Sequence, residues 1–239
     1  MLLNKLEVYI VFAIGLLIIC YLIGSFPSAL VIGKLAKGID VREHGSHNLG
    51  TTNAIRVLGK KLGLIVFALD VLKGAITVGT ARLLYEYLGL YFTGDFMEIT
   101  VFEPLYYGLC AVLGHIFPIF AGFKGGKAVA TGLGITLVLT PVPAILCLIV
   151  FYITLKASGY VSLSSTFAIL TVCITAFIQY FFLKDYLGNV AVNTLVLYVC
   201  ISLLMIIKHR KNYIRILNGT ENSFKKKKNQ DEKKEEQAI

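Results

Sequence analysis

The chain has 239 residues, 56% hydrophobic and 15% charged, with a mean hydropathy of +0.76 and a formal net charge of +9. A soluble domain carries about 25% charged residues, so a chain this poor in charge cannot cover a surface that faces water on all sides. The same figures exclude a disordered chain, a collagen-like repeat and a secreted disulfide scaffold, and leave a polytopic membrane protein.

In chain order, apolar stretches able to span a bilayer are residues 8–33, 62–90, 104–121, 160–183 and 189–207. The first has no signal-peptide cleavage pattern and reads as a retained helix. Residues 128–155 are also apolar, but Pro141 and Pro143 interrupt them, and proline removes a donor and clashes with the preceding helical turn. Charge then sets the sides of the membrane. Residues 34–61 carry Lys34, Lys37, Arg42, Arg56, Lys60 and Lys61 against two acids, and 122–127 carries Lys124 and Lys127. The C-terminal segment carries Lys208, Arg210, Lys211, Arg215 and the run Lys225–Lys228, whereas 91–103 has Asp95, Glu98 and Glu103 and no Lys or Arg.

All these loops agree only if 128–155 turns back at its prolines. The predicted fold is an all-α polytopic integral membrane protein of about seven transmembrane helical segments, N-terminus outside and C-terminus cytoplasmic. One transmembrane domain covers 1–217, and 218–239 is a basic, disordered cytoplasmic tail. Its charge suits lipid headgroups of the bilayer rather than nucleic acid. The five cysteines lie in apolar runs without knuckle or redox spacing, so they read as small buried hydrophobes and no metal site is expected.

Four polar stretches collect on the cytoplasmic side of this topology. Residues 43–56 hold Ser46, Asn48, Gly50, Thr52, Asn53 and Arg56, a density of short hydrogen-bonding groups ending in a guanidinium suited to phosphate. Residues 115–131 hold His115, Lys124, Gly125, Gly126, Lys127 and Thr131. There a Gly-Gly turn opening a helix presents backbone N–H groups to an anion. A Walker A loop is excluded, because Ala121 and Ala128 break its spacing. Ser162 and Ser165 share one helical face, where an N-cap or small-residue packing role is the plainer alternative. His209 and Asn212 also share one face, within a basic helix end. Inside the second span, Asp70 and Lys73 are three apart and read as an ion pair of the bundle interior. A transporter of an anionic metabolite and a nonenzymatic membrane scaffold are the competing classes; polar features gathered at one interface favour an enzyme.

At these residues the chain resembles the PlsY family, the bacterial acyl-phosphate:glycerol-3-phosphate acyltransferases. The matching patterns run from Gly45 to Arg56, Asp70 to Gly74, His115 to Thr131, Tyr160 to Ser165 and Lys208 to Glu221. Two departures are His47, where the family pattern has Gly, and Tyr213, where it has Ile. The resemblance implies transfer of an acyl group from a fatty acyl phosphate to the 1-hydroxyl of sn-glycerol 3-phosphate. The products are lysophosphatidic acid and phosphate, an entry to phospholipid biosynthesis, with no cofactor. It implies a bacterial plasma-membrane enzyme with its active site on the cytoplasmic side, and the enzyme that makes acyl phosphate as a partner. No His is followed by Asp in H-x-x-x-x-D spacing, the signature of other acyltransferases.

Carried onto this chain, Lys127, Arg56 and the Gly125–Gly126 amides bind phosphate charge. Ser46, Asn48 and Ser165 fix the glycerol or the acyl carbonyl, with Gly50, Thr52, Asn53, Lys124, Thr131 and Ser162 completing the substrate contacts. His209, oriented by Asn212, is the candidate for taking the hydroxyl proton; a substrate phosphate oxygen is the alternative base. The expectation is that the four stretches meet in one cationic pocket beneath the inner leaflet.

Overall fold

In a computed structural model, residues 2–88, 104–183, 186 and 192–224 are described. The acidic loop 91–103, the lysine run 225–228 and the rest of the tail lie outside them. Among the described residues every regular element is an α-helix or a short 3-10 turn. The chain divides into two compact units, one ending at Leu139 and one beginning at Thr140.

The first unit contains α1 (Leu2–Ser25), α2 (Ser28–Lys37), α3 (Thr51–Leu58), α4 (Lys60–Leu88), α5 (Pro104–Ile116) and α6 (Val129–Leu139). The continuous first span expected over 8–33 is corrected: α1 and α2 meet at a 41° bend across Phe26 and Pro27. Pro27 supplies no N–H and its ring opposes a continuing helix, so the last carbonyls of α1 need other donors. The second unit contains α7 (Pro141–Ser158), α8 (Val161–Phe182), α9 (Val192–Lys208) and α10 (Arg210–Leu217). The expected proline break is present at Thr140, whose φ of −143° and ψ of 76° leave helical space. Both prolines fall in the first turn of α7, where a missing N–H costs little.

Residues Lys60–Leu84, Pro104–Ala121, Pro141–Ser158 and Val161–Phe182 are each long and apolar enough to cross a membrane, as is the bent pair α1–α2 taken together. Val129–Leu139 and Thr194–Lys208 are shorter apolar helices. The outward faces of α4, α7 and α8 carry Leu64, Ile76, Ile149, Ile153, Ile174 and Phe177, while Asp70, Lys73, Thr77, His115 and Thr131 are buried in the first unit. Apolar outside and polar inside is the pattern of an all-α integral membrane protein. Cys20 and Cys147 are buried as expected, but Cys200 is exposed on α9.

Helix α4 is the spine of the first unit, packing against α3, α5 and α6. It approaches α6 backbone to backbone: a Cβ at Gly74 would collide with the carbonyl oxygen of Thr131, and one at Gly134 with that of Val71. Such contacts substitute dispersion for the hydrophobic drive that lipid does not supply. In the second unit α8 packs against α7 and α9, and Thr140 and Tyr198 share a buried hydroxyl hydrogen bond of 2.7 Å.

Candidate active site

The loop between α2 and α3 starts at Gly38, whose φ of 67° ends α2 in the left-handed cap. Asp40 then accepts from the Arg42 amide at 2.9 Å and pairs with its guanidinium at 2.6 Å. That guanidinium holds the Asp40 carboxyl below its usual range. Nη1 of Arg42 also donates to the Ala121 carbonyl at 3.3 Å, tying this loop to the turn after α5.

Asn53, expected as a substrate group, organises the loop through its own hydrogen bonds. It is 1% exposed, and its Oδ1 accepts from the Ser46 amide at 2.7 Å. Its Nδ2 donates to the carbonyls of Val41 and His44 at 2.9 and 3.1 Å. Asn48 similarly turns Oδ1 inward to the Gly50 amide at 2.9 Å, and Gly50 is the N-cap of α3. Ser46 is exposed, Thr52 is half-buried, and Arg56 stands half-buried in the last turn of α3 with its stem beside Gly45. His47 adopts φ 57° and its Nδ1 lies 2.8 Å from the Arg42 carbonyl, which compensates a conformation that suits glycine.

The Gly125 and Gly126 amides, expected to cradle phosphate, already donate to the carbonyls of Ile116 and His115 at 3.2 and 3.0 Å. Gly126 is glycine for a different reason: a Cβ there would collide with Nε2 of His115. Lys124 is exposed and Lys127 half-buried just ahead of α6. Thr131 is fully buried, and its Oγ1 has no hydrogen-bond partner among the described residues.

Beneath these loops the ion pair expected from spacing is formed, Lys73 Nζ standing 2.9 Å from Asp70 Oδ1. Lys73 also donates to the carbonyls of Phe26 and Gly24 at 2.9 and 3.3 Å, at the helix break. Ser28 Oγ donates to Asp70 Oδ1 at 2.8 Å, and Nδ1 of His115 lies 3.7 Å from the same oxygen. A cavity of about 10 Å³, bordered by Ser28, Leu49, Asp70, Lys73, His115 and Gly126, has room for one water.

In the second unit, Nδ1 of buried His209 lies 2.8 Å from the Met205 carbonyl. A carbonyl only accepts, so Nδ1 donates here, and in the neutral form of the ring Nε2 is the accepting nitrogen. Asn212, expected to orient His209, donates through Nδ2 to Glu221 at 2.8 Å, and the Met205 carbonyl of α9 holds Nδ1 of His209. Glu221 also accepts from Arg215 at 2.6 Å, and the Phe224 amide donates to the Gly159 carbonyl at 3.0 Å. Residues 218–224, assigned to the tail, therefore belong to the folded unit. Ser165 donates to the Val161 carbonyl at 2.8 Å, while Ser162 Oγ is buried without a partner among the described residues; Tyr160 is the N-cap of α8.

Beyond the expected site residues, these contacts bring in Asp40 with Arg42, Ser28 after the helix break and Glu221, and set His115 against the ion pair. Each carried a faint signal, in a D-x-R turn, a Phe-Pro-Ser after an apolar run, a histidine at a helix end, and a lone acid in a basic segment.

Residues 14–219 match the family model described as glycerol-3-phosphate acyltransferase. A glycerol-3-phosphate acyltransferase of Bacillus subtilis (strain 168) is 46% identical over 210 residues, covering 88% of this chain and 96% of that protein. One of Acholeplasma laidlawii is 40% identical over 220 residues, covering 88% and 93%. Among solved structures, the glycerol 3-phosphate form of PlsY (YgiH), an integral membrane glycerol 3-phosphate acyltransferase, superimposes with a TM-score of 0.74 at 38% identity, covering 89% of this chain and 95% of the other. Its lysophosphatidic acid form gives 0.72 at 37% identity with the same coverage.

Proposed function

The chain belongs to the glycerol-3-phosphate acyltransferase family, and on that premise we propose that it acylates the 1-hydroxyl of sn-glycerol 3-phosphate from a fatty acyl phosphate. The hydroxyl oxygen bonds to the acyl carbon, the bond from that carbon to the phosphate oxygen breaks, and lysophosphatidic acid and inorganic phosphate leave. The family match over residues 14–219 carries this reading, because it takes in three polar stretches whole and the fourth through His209 and Asn212.

Within that reaction Lys127, Lys124 and Arg56 hold phosphate charge. Ser46, Thr52, Thr131, Ser162 and Ser165 are the hydroxyls available to the glycerol and the acyl carbonyl. His209 takes the hydroxyl proton at Nε2, with Asn212 held beside it by Glu221; the anchored Nδ1 supports this role. An acyl phosphate is already activated, so positioning and charge stabilisation supply most of the acceleration. Asn48, Asn53, Gly125 and Gly126 serve by shaping the loops.

The reading extends to the membrane: seven crossings, N-terminus outside, C-terminus and reacting loops on the cytoplasmic side of the cell membrane, supported by the lysines and arginines of 34–61 and 208–215. The enzyme that makes acyl phosphate is the partner this donor requires. The test incubates purified protein with labelled glycerol 3-phosphate and synthetic acyl phosphate. Labelled lysophosphatidic acid with stoichiometric phosphate is expected; product from acyl-CoA alone, or none from either donor, overturns the reading.

A further inference from the structure

We infer that Asp70 and Lys73 are positioning residues: with Gly74 and His115 they set where Gly126 and Lys127 stand. This rests on the phosphate-holding role given to Lys127 above and deepens it.

A charge inside a membrane bundle is costly and persists where it has work to do. The contact between α4 and α6 does not use this pair, since those helices meet through Gly74 and Gly134. All three Lys73 donors have acceptors: Asp70 Oδ1 at 2.9 Å, the Phe26 carbonyl at 2.9 Å and the Gly24 carbonyl at 3.3 Å. The ammonium thus closes the open end of α1, where the helix dipole also favours a cation. Asp70 holds the start of α2 through Ser28 at 2.8 Å. Together the two side chains fix the bend between α1 and α2 against α4.

The same pair reaches the Lys127 segment from two directions. On one side His115 Nδ1 lies 3.7 Å from Asp70 Oδ1, too long for a hydrogen bond and close enough for the ring to pack against the carboxylate. The opposite edge of that ring, Nε2, occupies the space a Cβ on Gly126 would need, and the His115 carbonyl accepts the Gly126 amide at 3.0 Å. On the other side Gly74, next to Lys73, seats the Thr131 carbonyl and hence the first turn of α6, which Lys127 precedes. The D-x-x-K-G stretch therefore bears on Lys127 from before and after it. A shift of about 1 Å in such a segment is enough to cost large factors in a reaction.

The test uses purified full-length protein and the double variant Asp70→Asn/Lys73→Gln. Removing both charges leaves neither buried alone, and the amides retain hydrogen-bonding capacity, so the fold persists. The expected result is a melting temperature within a few degrees of wild type, a KM for glycerol 3-phosphate raised about tenfold or more, and kcat changed less than about threefold. The rise in melting temperature produced by glycerol 3-phosphate falls in step. In a Lys127→Gln background the same double substitution adds less than about twofold, because its effect passes through Lys127. An unchanged KM in a folded double variant, or full additivity with Lys127→Gln, overturns the inference. If the double variant does not melt cooperatively, Ser28→Ala decides instead: a KM rise of about threefold supports the role and an unchanged KM overturns it. A wild-type protein without turnover overturns the acyltransferase reading itself, and this inference with it.

Discussion

Oδ1 of Asn53 accepts the Ser46 amide at 2.7 Å from seven residues away, so one side chain of α3 decides where the exposed hydroxyl of Ser46 is presented. Asn53→Ala removes this bond and the two to Val41 and His44, leaving the part-buried Ser46 amide and the buried Val41 carbonyl without that partner. Its expected cost is about 2–3 kcal/mol of stability, together with loss of turnover that added substrate does not restore. Thermal unfolding and initial rates measured side by side check both.

His209→Ala is expected to lower kcat by about a hundredfold or more, the range a general base contributes. Folding and the KM for glycerol 3-phosphate should change little, because the Met205 carbonyl that loses its donor belongs to a helix turn already bonded to the His209 amide. Near-normal turnover in the purified variant assigns the proton to a substrate phosphate oxygen instead.

The boundary of the folded C-terminus is testable by truncation. A chain ended after Phe224 keeps Glu221 on Arg215 and Asn212, as well as the Phe224 contact to Gly159, and should match the full chain in melting temperature and activity. A chain ended after Leu217 loses all of these and should lose most of its activity. Equal behaviour of the two truncations would contradict the role given to Glu221.

The Asp40–Arg42 pair predicts a pH dependence. Because Arg42 holds the Asp40 carboxyl below its ordinary value, the pair contributes stability above the unfolded-state pKa, about 3.9. That contribution is lost as pH falls through the depressed folded value. Wild type should therefore melt higher than Asp40→Asn near pH 7, with the difference closing below about pH 4. A gap between the two proteins that stays constant across this range would remove the pair from the account.

The positive φ of His47 leads to a further expectation. His47→Gly relieves the left-handed backbone but loses the bond to the Arg42 carbonyl and frees the unfolded chain. These effects oppose one another, so stability should move by less than about 1 kcal/mol with activity retained. A severe loss of turnover would instead give the imidazole a direct part in the reaction.

Much of this protein was legible along the chain, because lipid imposes a strong one-dimensional rule: apolar runs of spanning length, proline breaks and lysine-rich loops are local properties. That rule predicts the helical class, the break near Pro141 and the Asp70–Lys73 pair, whose members are neighbours on one helix. The ordered motifs likewise identify the family, since they need only residue order and spacing.

Side-chain direction was decided in three dimensions. Asn53, Gly125 and Gly126 are residue types that suit phosphate, yet their polar groups turn inward to Ser46, Ile116 and His115, partners that only the folded chain brings within reach. The bend at Pro27 reads as one apolar run until Lys73, from α4, supplies the donors its carbonyls require. A hydrogen bond is short and directional, so composition and periodicity, which record averages along the chain, cannot say which of several capable groups is already taken.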